Sequence, residues 1–264
     1  MISIEFSTVH GNQLYSVLES IRSQTFQDYE VIIVNSNPDL SDTIKESGSV
    51  EIFRKTGKLE ARELAHKMSH GDREFLLEET RILKKDALER LSSDSEADMT
   101  IVGENEIGES FVNRINRVDA RLAAGQSGAT PENLYLLPRY FRREVLDYSF
   151  KQAHVGIPDD IFPRIVASDL EIIYSEGFKK YRNIKIIRDE LIDKFGEASF
   201  LESFRKYYRY GQTHKMLRNT SYSDFYSFQR RRRSIPNIKY LPAILGIYAI
   251  RGTGFFLGYY FGQG

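Results

Sequence analysis

The amino-acid sequence predicts an α/β protein with a mostly parallel sheet, helices on both faces of that sheet and a helical C-terminal extension. The first observation is the alternation of short β-branched strand patterns with amphipathic helix patterns over residues 2–102. The second is an ordinary globular composition, with 264 residues of which 41% are apolar. The third is a change of charge: residues 1–178 carry 20 basic and 31 acidic side chains, whereas residues 179–264 carry 17 and 6.

Strand and helix patterns follow one another regularly in the first part of the chain. Strand patterns cover residues 2–6, 30–34, 50–53, 74–77 and 98–102. Helix patterns follow Asn12, which we expect to cap its helix, and occupy residues 61–68 and 85–91. This order predicts parallel strands. Ligands of such sheets bind beyond the carboxyl ends of the strands, which here are residues 7–10, 35–37 and 78–81.

The second half of the sequence is less regular. Apolar spacing predicts a helix through Ile115, Val118 and Leu122. Further predictions are a strand at 135–137, a helix at 142–148, a helix beginning at Asp159 and Asp160, a strand at 171–174, and helical, aromatic structure from residue 184 onward. We therefore divide the chain into an α/β domain (1–180), a basic aromatic helical segment (181–239) and an apolar tail (240–264).

The residue types present exclude or disfavour several classes of site. The chain has no Cys, which excludes disulfides, thiolate metal sites and cysteine nucleophiles and fits a reducing compartment. Its five His residues lack the HExxH spacing, and neither a Gly-rich phosphate loop nor a GxSxG elbow occurs. The basic C-terminal part indicates a surface that binds phosphate groups. The acidic first domain and the apolar tail favour a lipid phosphate over nucleic acid.

Four motifs occur in an informative order along the chain. Residues 18–26 read LESIRSQTF and precede the second strand pattern, and residues 57–62 read GKLEAR. Residues 85–91 read KDALERL, and residues 158–164 read PDDIFPR, which is similar to an EDxxxxxR motif. In this order and spacing the motifs resemble those of the family 2 glycosyltransferases.

This resemblance implies a GT-A-like, Rossmann-type fold and an inverting transfer of a sugar from a UDP- or GDP-sugar donor. It assigns nucleotide binding to Thr8, His10, Asn35, Arg62 and Glu78. It assigns proton abstraction from the acceptor to Asp160, with Asp159 as its catalytic neighbour. The alternative is that the two Asp residues only open a helix, along which Arg164 would pair with Asp160.

The DxD motif of the family is replaced here by Glu78-Glu79-Thr80. By resemblance, Glu78 and Glu79 would hold Mg²⁺ or Mn²⁺ between the oxygens of the diphosphate, because hard cations take oxygen ligands. Thr80 stands where the second Asp is expected, which disfavours a metal. The alternative is that basic side chains neutralise the leaving diphosphate, namely Lys58, Arg62 and Arg81.

The C-terminal part indicates contact with a membrane. Residues 240–264 carry one charge, Arg251, and follow basic residues at 230–233 and Lys239. We expect the tail to lie on the cytoplasmic face of the cell membrane, where a lipid-linked acceptor such as a polyprenyl phosphate would be bound by Arg205, Lys206 and Arg209. The opening residues lack the pattern of a secretion signal, which agrees with a cytoplasmic location.

Two alternatives remain open at this point. The tail would instead pack on the body of the chain or on a second copy, which would form a homo-oligomer. The domain would instead be a GT-A-like module that binds without catalysing and acts within a membrane-associated complex, because its nucleotide and DxD motifs are altered.

Overall fold

A computed structural model describes residues 1–93, 96–124, 130, 137–223 and 240–262, without the side chains of 121–124. Eight strands form one sheet in the order β3-β2-β1-β4-β7-β6-β8-β5. The strands are β1 (Ile2–Thr8), β2 (Tyr29–Asn35), β3 (Val50–Phe53), β4 (Arg73–Leu76), β5 (Arg81–Leu83), β6 (Met99–Ile107), β7 (Pro138–Arg142) and β8 (Ile184–Phe195). Strands β3, β2, β1 and β4 are parallel, whereas β7 is antiparallel to both of its neighbours.

Helices cover both faces of this sheet. They are α1 (Leu14–Arg22), α2 (Ser41–Glu46), α3 (Lys58–Met68), α4 (Ala87–Ser92), α5 (Phe111–Ala124), α6 (Arg143–Gly156), α7 (Asp169–Lys180), α8 (Phe200–Leu217) and α9 (Leu241–Phe261). Short 3-10 turns stand at Pro38–Leu40 and Phe162–Arg164. The mixed α/β fold with a C-terminal helical extension is thus as the sequence predicts.

Two buried layers hold the helices to the sheet. On one face Ile4 and Phe6 of β1 pack with Leu14 and Ile21 of α1. On the other face Leu76 of β4 packs in a cluster built largely from α6 and α7. Because side chains alternate along a strand, Glu5 of β1 and Glu74 of β4 lie on this second face. Both are fully buried there.

Several local predictions differ from the structure. Residues 171–174, predicted as a strand, lie in α7, where Ile172, Ile173 and Tyr174 are fully buried. Residues 184–195, predicted as helical, form β8, which pairs with β6 and β5. A short apolar run does not distinguish a buried helix from a strand, so only the packing partner decides. The extra strand β5 was not predicted, and α1 begins at Leu14 without a side-chain cap from Asn12.

The extension consists of the helix pair α8 and α9. Gly211, Gly254 and Gly258 allow the two backbones to touch: a Cβ at Gly258 would lie 2.0 Å from the Tyr208 carbonyl oxygen. Arg251, in the middle of α9, donates to Asn116 (2.7 Å) and Asp119 (3.3 Å) of α5. The tail therefore packs on the body along one face. Packing on the body was the alternative to membrane contact in the sequence analysis.

The other face of α9 is exposed and apolar. Exposed side chains follow one helical stripe, which we call the outer stripe: Leu245, Ala249, Thr253, Phe256 and Tyr260. Among the described residues, α9 is the one helix long and apolar enough to cross a membrane, with 21 residues and a mean hydropathy of 1.4. Its central Arg251 is paired with Asn116 and Asp119 of the body, however. The predicted basic residues 230–233 and Lys239 lie outside the described residues.

Candidate active site

The carboxyl ends of β1, β2 and β4 meet at one edge of the sheet, which we call the carboxyl edge. Thr8 and Asn35 are register partners at the ends of β1 and β2. Glu79, just beyond β4, accepts hydrogen bonds from the Thr8 hydroxyl (2.6 Å) and from the backbone N–H groups of Val9 (3.2 Å) and Gly11 (3.4 Å). Glu79 thus holds the loop that follows β1.

Asn35 and His10, both predicted to bind the nucleotide, differ in their surroundings. Asn35 is fully buried, and its amide donates to Glu51 (2.7 Å) while its oxygen accepts from the backbone N–H of Asn37 (2.9 Å). Hydrogen bonds from Asn35 and Ser41 lower the pKa of Glu51. His10 is exposed in the loop after β1. Asn35 therefore fixes the turn after β2 from a buried position, whereas His10 is accessible to a ligand.

Glu78 lies directly after β4 and is surrounded by positive charge. Arg81 donates to its carboxylate. Nitrogens of Lys58, Arg62 and Arg139 lie 3.8, 3.7 and 3.7 Å from the carboxylate oxygens. Burial alone would raise the pKa of Glu78, but these four cations together hold it well below its usual range. Glu78 is therefore ionised at neutral pH.

Glu104 of β6 is a second carboxylate in the same place. It accepts hydrogen bonds from Arg81 Nε (2.9 Å) and from Arg139 Nε. Burial would raise the pKa of Glu104, but Arg139, Arg81 and Lys194 lower it to about 2. We call the six interacting side chains the charge cluster: Lys58, Arg62, Glu78, Arg81, Glu104 and Arg139.

Arg62 connects the charge cluster to the interior. It is 4% exposed, donates to Asp169 of α7 and donates to the carbonyl of Leu77 (3.3 Å). With Asp169 included, the group carries four positive and three negative charges. A buried guanidinium held by three partners is a fixed donor, so it can meet an anion without first being ordered.

Helix α8 adds Lys206 to this region. Lys206 Nζ bonds Glu197 Oε1 at 2.5 Å. Burial lowers the pKa of Lys194 on β8, and the nearby charges of Lys206 and Arg81 lower it further. Arg205 and Arg209 are exposed instead. The structure therefore separates Lys206, beside the charge cluster, from the two Arg residues predicted to act with it.

Asp159 and Asp160 lie in an exposed turn and begin no helix. The Asp159 side chain is 97% exposed, and its Oδ1 lies 3.8 Å from His154 Nδ1. Asp160 is exposed as well, and no described side chain bonds to it, so the predicted pair with Arg164 does not form. Pro163 follows in the 3-10 turn Phe162–Arg164 and prevents a regular helix at this point.

The loop that carries Asp160 is attached beside the charge cluster. The backbone N–H of Gly57, which precedes α3, donates to the Pro163 carbonyl (2.7 Å), and Leu59 N–H donates to the Ile165 carbonyl (3.3 Å). A Cβ at position 57 would lie 2.4 Å from the Ile165 carbonyl oxygen. Glycine is therefore required there, and it places the loop next to Lys58.

The carboxylates at the DxD position do not fit a divalent cation. Glu79 already accepts three hydrogen bonds, and Glu78 is surrounded by four cations that would repel a metal ion. The sequence prediction of Glu78 and Glu79 as metal ligands therefore has no support in their geometry. The basic alternative, with Lys58, Arg62 and Arg81, matches the contacts.

Sequence reasoning missed several members of this site. Arg139 stands on β7 and Glu104 on β6. Strand β7 pairs antiparallel with β4, and β6 pairs antiparallel with β7, so pairing between distant segments brings both residues to the site. Lys194 on β8 was placed in a helix by the sequence. Residues 138–142 read PRYFR, and the two adjacent aromatic residues were the available signal for β7. They do not indicate which strand β7 pairs with.

The fold resembles that of several solved structures. No protein-family model and no curated protein sequence matches the chain. The S. aureus TarS 1-349 structure in complex with UDP-GlcNAc superposes with a TM-score of 0.58 and 12% identity, over 96% of this chain and 81% of that chain. The mannosyltransferase PcManGT from Pyrobaculum calidifontis, in complex with GDP-Man and Mn²⁺, gives 0.56 and 14%, over 97% and 72%.

A third structure extends the comparison. Glucosyl-3-phosphoglycerate synthase from Mycobacterium tuberculosis, in complex with Mn²⁺, UDP and glucosyl-3-phosphoglycerate, gives a TM-score of 0.53 with 16% identity, over 83% of this chain and 78% of that chain. At such identities the likeness concerns the fold. The chain therefore has the GT-A-like glycosyltransferase fold that the sequence resemblance predicts.

Proposed function

We propose that the chain transfers a sugar, with inversion, from a UDP- or GDP-sugar to a hydroxyl or phosphate of an acceptor. The observation that carries this proposal is the charge cluster at the carboxyl edge of a GT-A-like fold. Ligands of such sheets bind at this edge, and the neighbouring structures hold UDP, UDP-GlcNAc or GDP-Man. A nucleoside diphosphate is the anion that four convergent cations suit.

The cations would do the work that a metal does in relatives with an intact DxD motif. In the reaction, an acceptor oxygen attacks the anomeric carbon, and the bond from that carbon to the diphosphate oxygen breaks. The electron pair leaves with the diphosphate, whose new charge Lys58, Arg62, Arg81 and Arg139 would stabilise. Glu78 and Glu104 hold these cations in place before the donor binds.

Asp160 would accept the proton of the acceptor. Its carboxylate is exposed and unbonded among the described residues, so it is accessible to an incoming hydroxyl. The bonds from Gly57 and Leu59 to Pro163 and Ile165 attach the loop that carries Asp160 to the N-terminal end of α3, which begins at Lys58. A positioned general base of this kind contributes roughly 10²–10⁴ to the rate.

A lipid-linked acceptor is the substrate class we infer, and a cytoplasmic membrane surface is the location. The outer stripe of α9 offers exposed apolar side chains, among them Phe256 and Tyr260. Arg205 and Arg209 are exposed on α8, which packs against α9, so they would lie near lipid phosphates. Lys206 lies beside the charge cluster and would bind the acceptor phosphate in the site.

The test is sugar transfer without added metal. We would measure nucleoside diphosphate release from UDP-glucose, UDP-GlcNAc and GDP-mannose, with and without a chelator in the assay, beside thermal unfolding with each donor. A donor at 100 times its dissociation constant should stabilise the fold by roughly 2.7 kcal/mol. We expect turnover that the chelator does not abolish. No stabilisation by any donor would contradict the proposal.

A second candidate function is favoured by the bonds of Glu79. Its carboxylate occupies donors of the loop after β1, where the resemblance places the nucleotide. A domain altered in this way would bind a nucleotide or a partner without catalysing transfer. Thermal stabilisation by a donor with no release of nucleoside diphosphate would support this candidate over the transferase.

A further inference from the structure

A buried polar cluster lies behind the sheet, on the face that α3 and α6 cover. It contains Glu5 of β1, Glu74 of β4 and His66 of α3, all of them buried. A ligand atom from each of these three side chains lies within 4.8 Å of the other two. Since α3 also supplies Arg62 to the charge cluster, the two groups are joined by one helix but occupy different places.

Glu5 is the unusual member of this cluster. It is fully buried, and neither of its carboxylate oxygens accepts a hydrogen bond from any described residue. The Glu74 carboxylate beside it, when ionised, accepts and does not donate. A buried carboxylate without a donor is costly, so either a proton or a metal ion has to neutralise the Glu5–Glu74 pair.

His66 is oriented as a metal ligand would be. Its Nδ1 points to the Glu74 oxygens at 2.8 and 3.0 Å, and its Nε2 lies 3.0 Å from Oδ1 of Asp147 on α6. A metal-binding His commonly donates its second ring N–H to a carboxylate in this way. Asp147 would therefore hold the proton on Nε2, so that the Nδ1 lone pair would bind a cation in place of its present contact with Glu74.

The contacts around the cluster are richer in carboxylates than in cations. Glu74 and Asp147 both contact His66, Glu5 lies beside them, and Arg143 lies 3.3 Å from Glu74. Three carboxylates thus share one guanidinium, so further positive charge is needed, either as protons or as a metal ion.

We propose that Glu5, His66 and Glu74 bind a divalent transition-metal ion of the zinc or cobalt type. Imidazole together with carboxylate suits these ions, whereas Mg²⁺ prefers an all-oxygen set and keeps its waters. The ion would join β1, β4 and α3 and so stabilise the layer behind the carboxyl edge. This proposal does not depend on the transferase function.

The test is the metal content of the full chain after growth with Zn²⁺ or Co²⁺ and gel filtration. We expect about one equivalent per chain, with visible absorption for the cobalt form. Glu5→Gln keeps the size of the side chain and should reduce the metal content at least about tenfold, and Asp147→Asn should lower affinity by roughly tenfold. Glu79→Gln is the matched control at the carboxyl edge and should retain the metal.

Two results would overturn the assignment. A folded wild-type chain without metal would mean that protons on Glu5 and His66, not a metal ion, balance the charge of the cluster. Metal retained by folded Glu5→Gln would place the ion elsewhere. If Glu5→Gln fails to fold, the cobalt spectrum of the wild type and the affinity of Asp147→Asn decide instead: absent cobalt absorption, or unchanged affinity, would refute the site.

Discussion

The charge cluster and the α8–α9 pair achieve order in opposite ways. The charge cluster places four cations and two carboxylates together, each fixed by its opposite charges. The helix pair instead uses Gly211, Gly254 and Gly258 for direct backbone contact, and the one charge of α9, Arg251, is half-buried against α5. A cation of the charge cluster can give up a carboxylate partner and bind an anionic ligand instead. The glycine contacts join two backbones closely and offer no charged group to a ligand.

The largest effect is expected from the loop beside the charge cluster. Asp160→Asn should lower sugar transfer by roughly 10²–10⁴, because the acceptor loses its base. Folding should not change, since the side chain is exposed. The measurement is the transfer rate beside nucleotide binding, with Asp72→Asn, an exposed Asp before β4, as the control. Wild-type turnover in Asp160→Asn, or an equal loss in Asp72→Asn, would refute the assignment, and Asp159→Asn would then be tested.

The charge cluster itself is tested at its most exposed cation. Lys58→Ala should lower kcat about a hundredfold, because one donor to the leaving diphosphate is lost. Stability should change little, since the Lys58 side chain is 42% exposed. Steady-state kinetics checks this, with Lys45→Ala, an exposed Lys on α2, as the control. If both variants behave alike, Lys58 does not contact the diphosphate.

The charge cluster should also make stability depend on pH. The pKa of Glu104 is about 2 in the folded chain, against an ordinary value near 4.5. Its contribution, on the order of 3 kcal/mol, is present above about pH 4.5 and is lost as the pH falls toward 2. Urea unfolding between pH 6 and 3 checks this, in wild type and Glu104→Gln. An equal pH slope in the two would contradict it.

The helix pair should respond to volume, not to charge. Gly258→Ala would bring a Cβ to 2.0 Å from the Tyr208 carbonyl oxygen and should cost about 1–3 kcal/mol. Gly252→Ala is the matched control: nothing lies within 4 Å of its Cβ, so it should stabilise α9 by about 0.5–1 kcal/mol. Thermal unfolding distinguishes the two. Equal shifts would mean that α8 and α9 are not in close contact.

The smallest effect concerns the outer stripe. Phe256→Glu should weaken binding to anionic liposomes about tenfold, since roughly 1.4 kcal/mol of apolar burial is lost. Tyr15→Glu is the control, because Tyr15 is 71% exposed on α1, far along the chain from α9. Sedimentation with liposomes at low salt is the measurement. If wild-type protein remains in the supernatant, the outer stripe does not bind lipid, and contact with a second copy of the chain becomes the explanation for its exposed apolar side chains.

Local patterns explain why the first half of the fold was predictable. In α1, Leu14, Val17, Leu18 and Ile21 follow the helical repeat and are all buried. Residues 31–34 form an apolar run, of which residues 32–34 are buried in β2. Such periodicities act over a few residues, so they are present in the sequence itself.

The second half depended on contacts between distant segments. The run Ile172–Ile173–Tyr174 is compatible with a strand, but it packs against α6 as a helix. Residues 184–195 become a strand because β6 offers them an edge. In both segments the neighbouring element decided between a helix and a strand, because the local sequence was compatible with either.

By itself the sequence determined five of the six strands up to β6 and the helices α1, α3 and α4, but not α2 or β5. It also determined the position of the carboxyl edge and the resemblance that predicts a GT-A-like fold. Only the tertiary structure decided what the altered motif does: it bonds Glu79 to the loop after β1 and surrounds Glu78 with Arg81, Arg62 and Arg139. The physical reason is distance along the chain. Arg139 is 61 residues from Glu78, and the folded sheet brings the two charges together. A local sequence pattern cannot indicate such a pair.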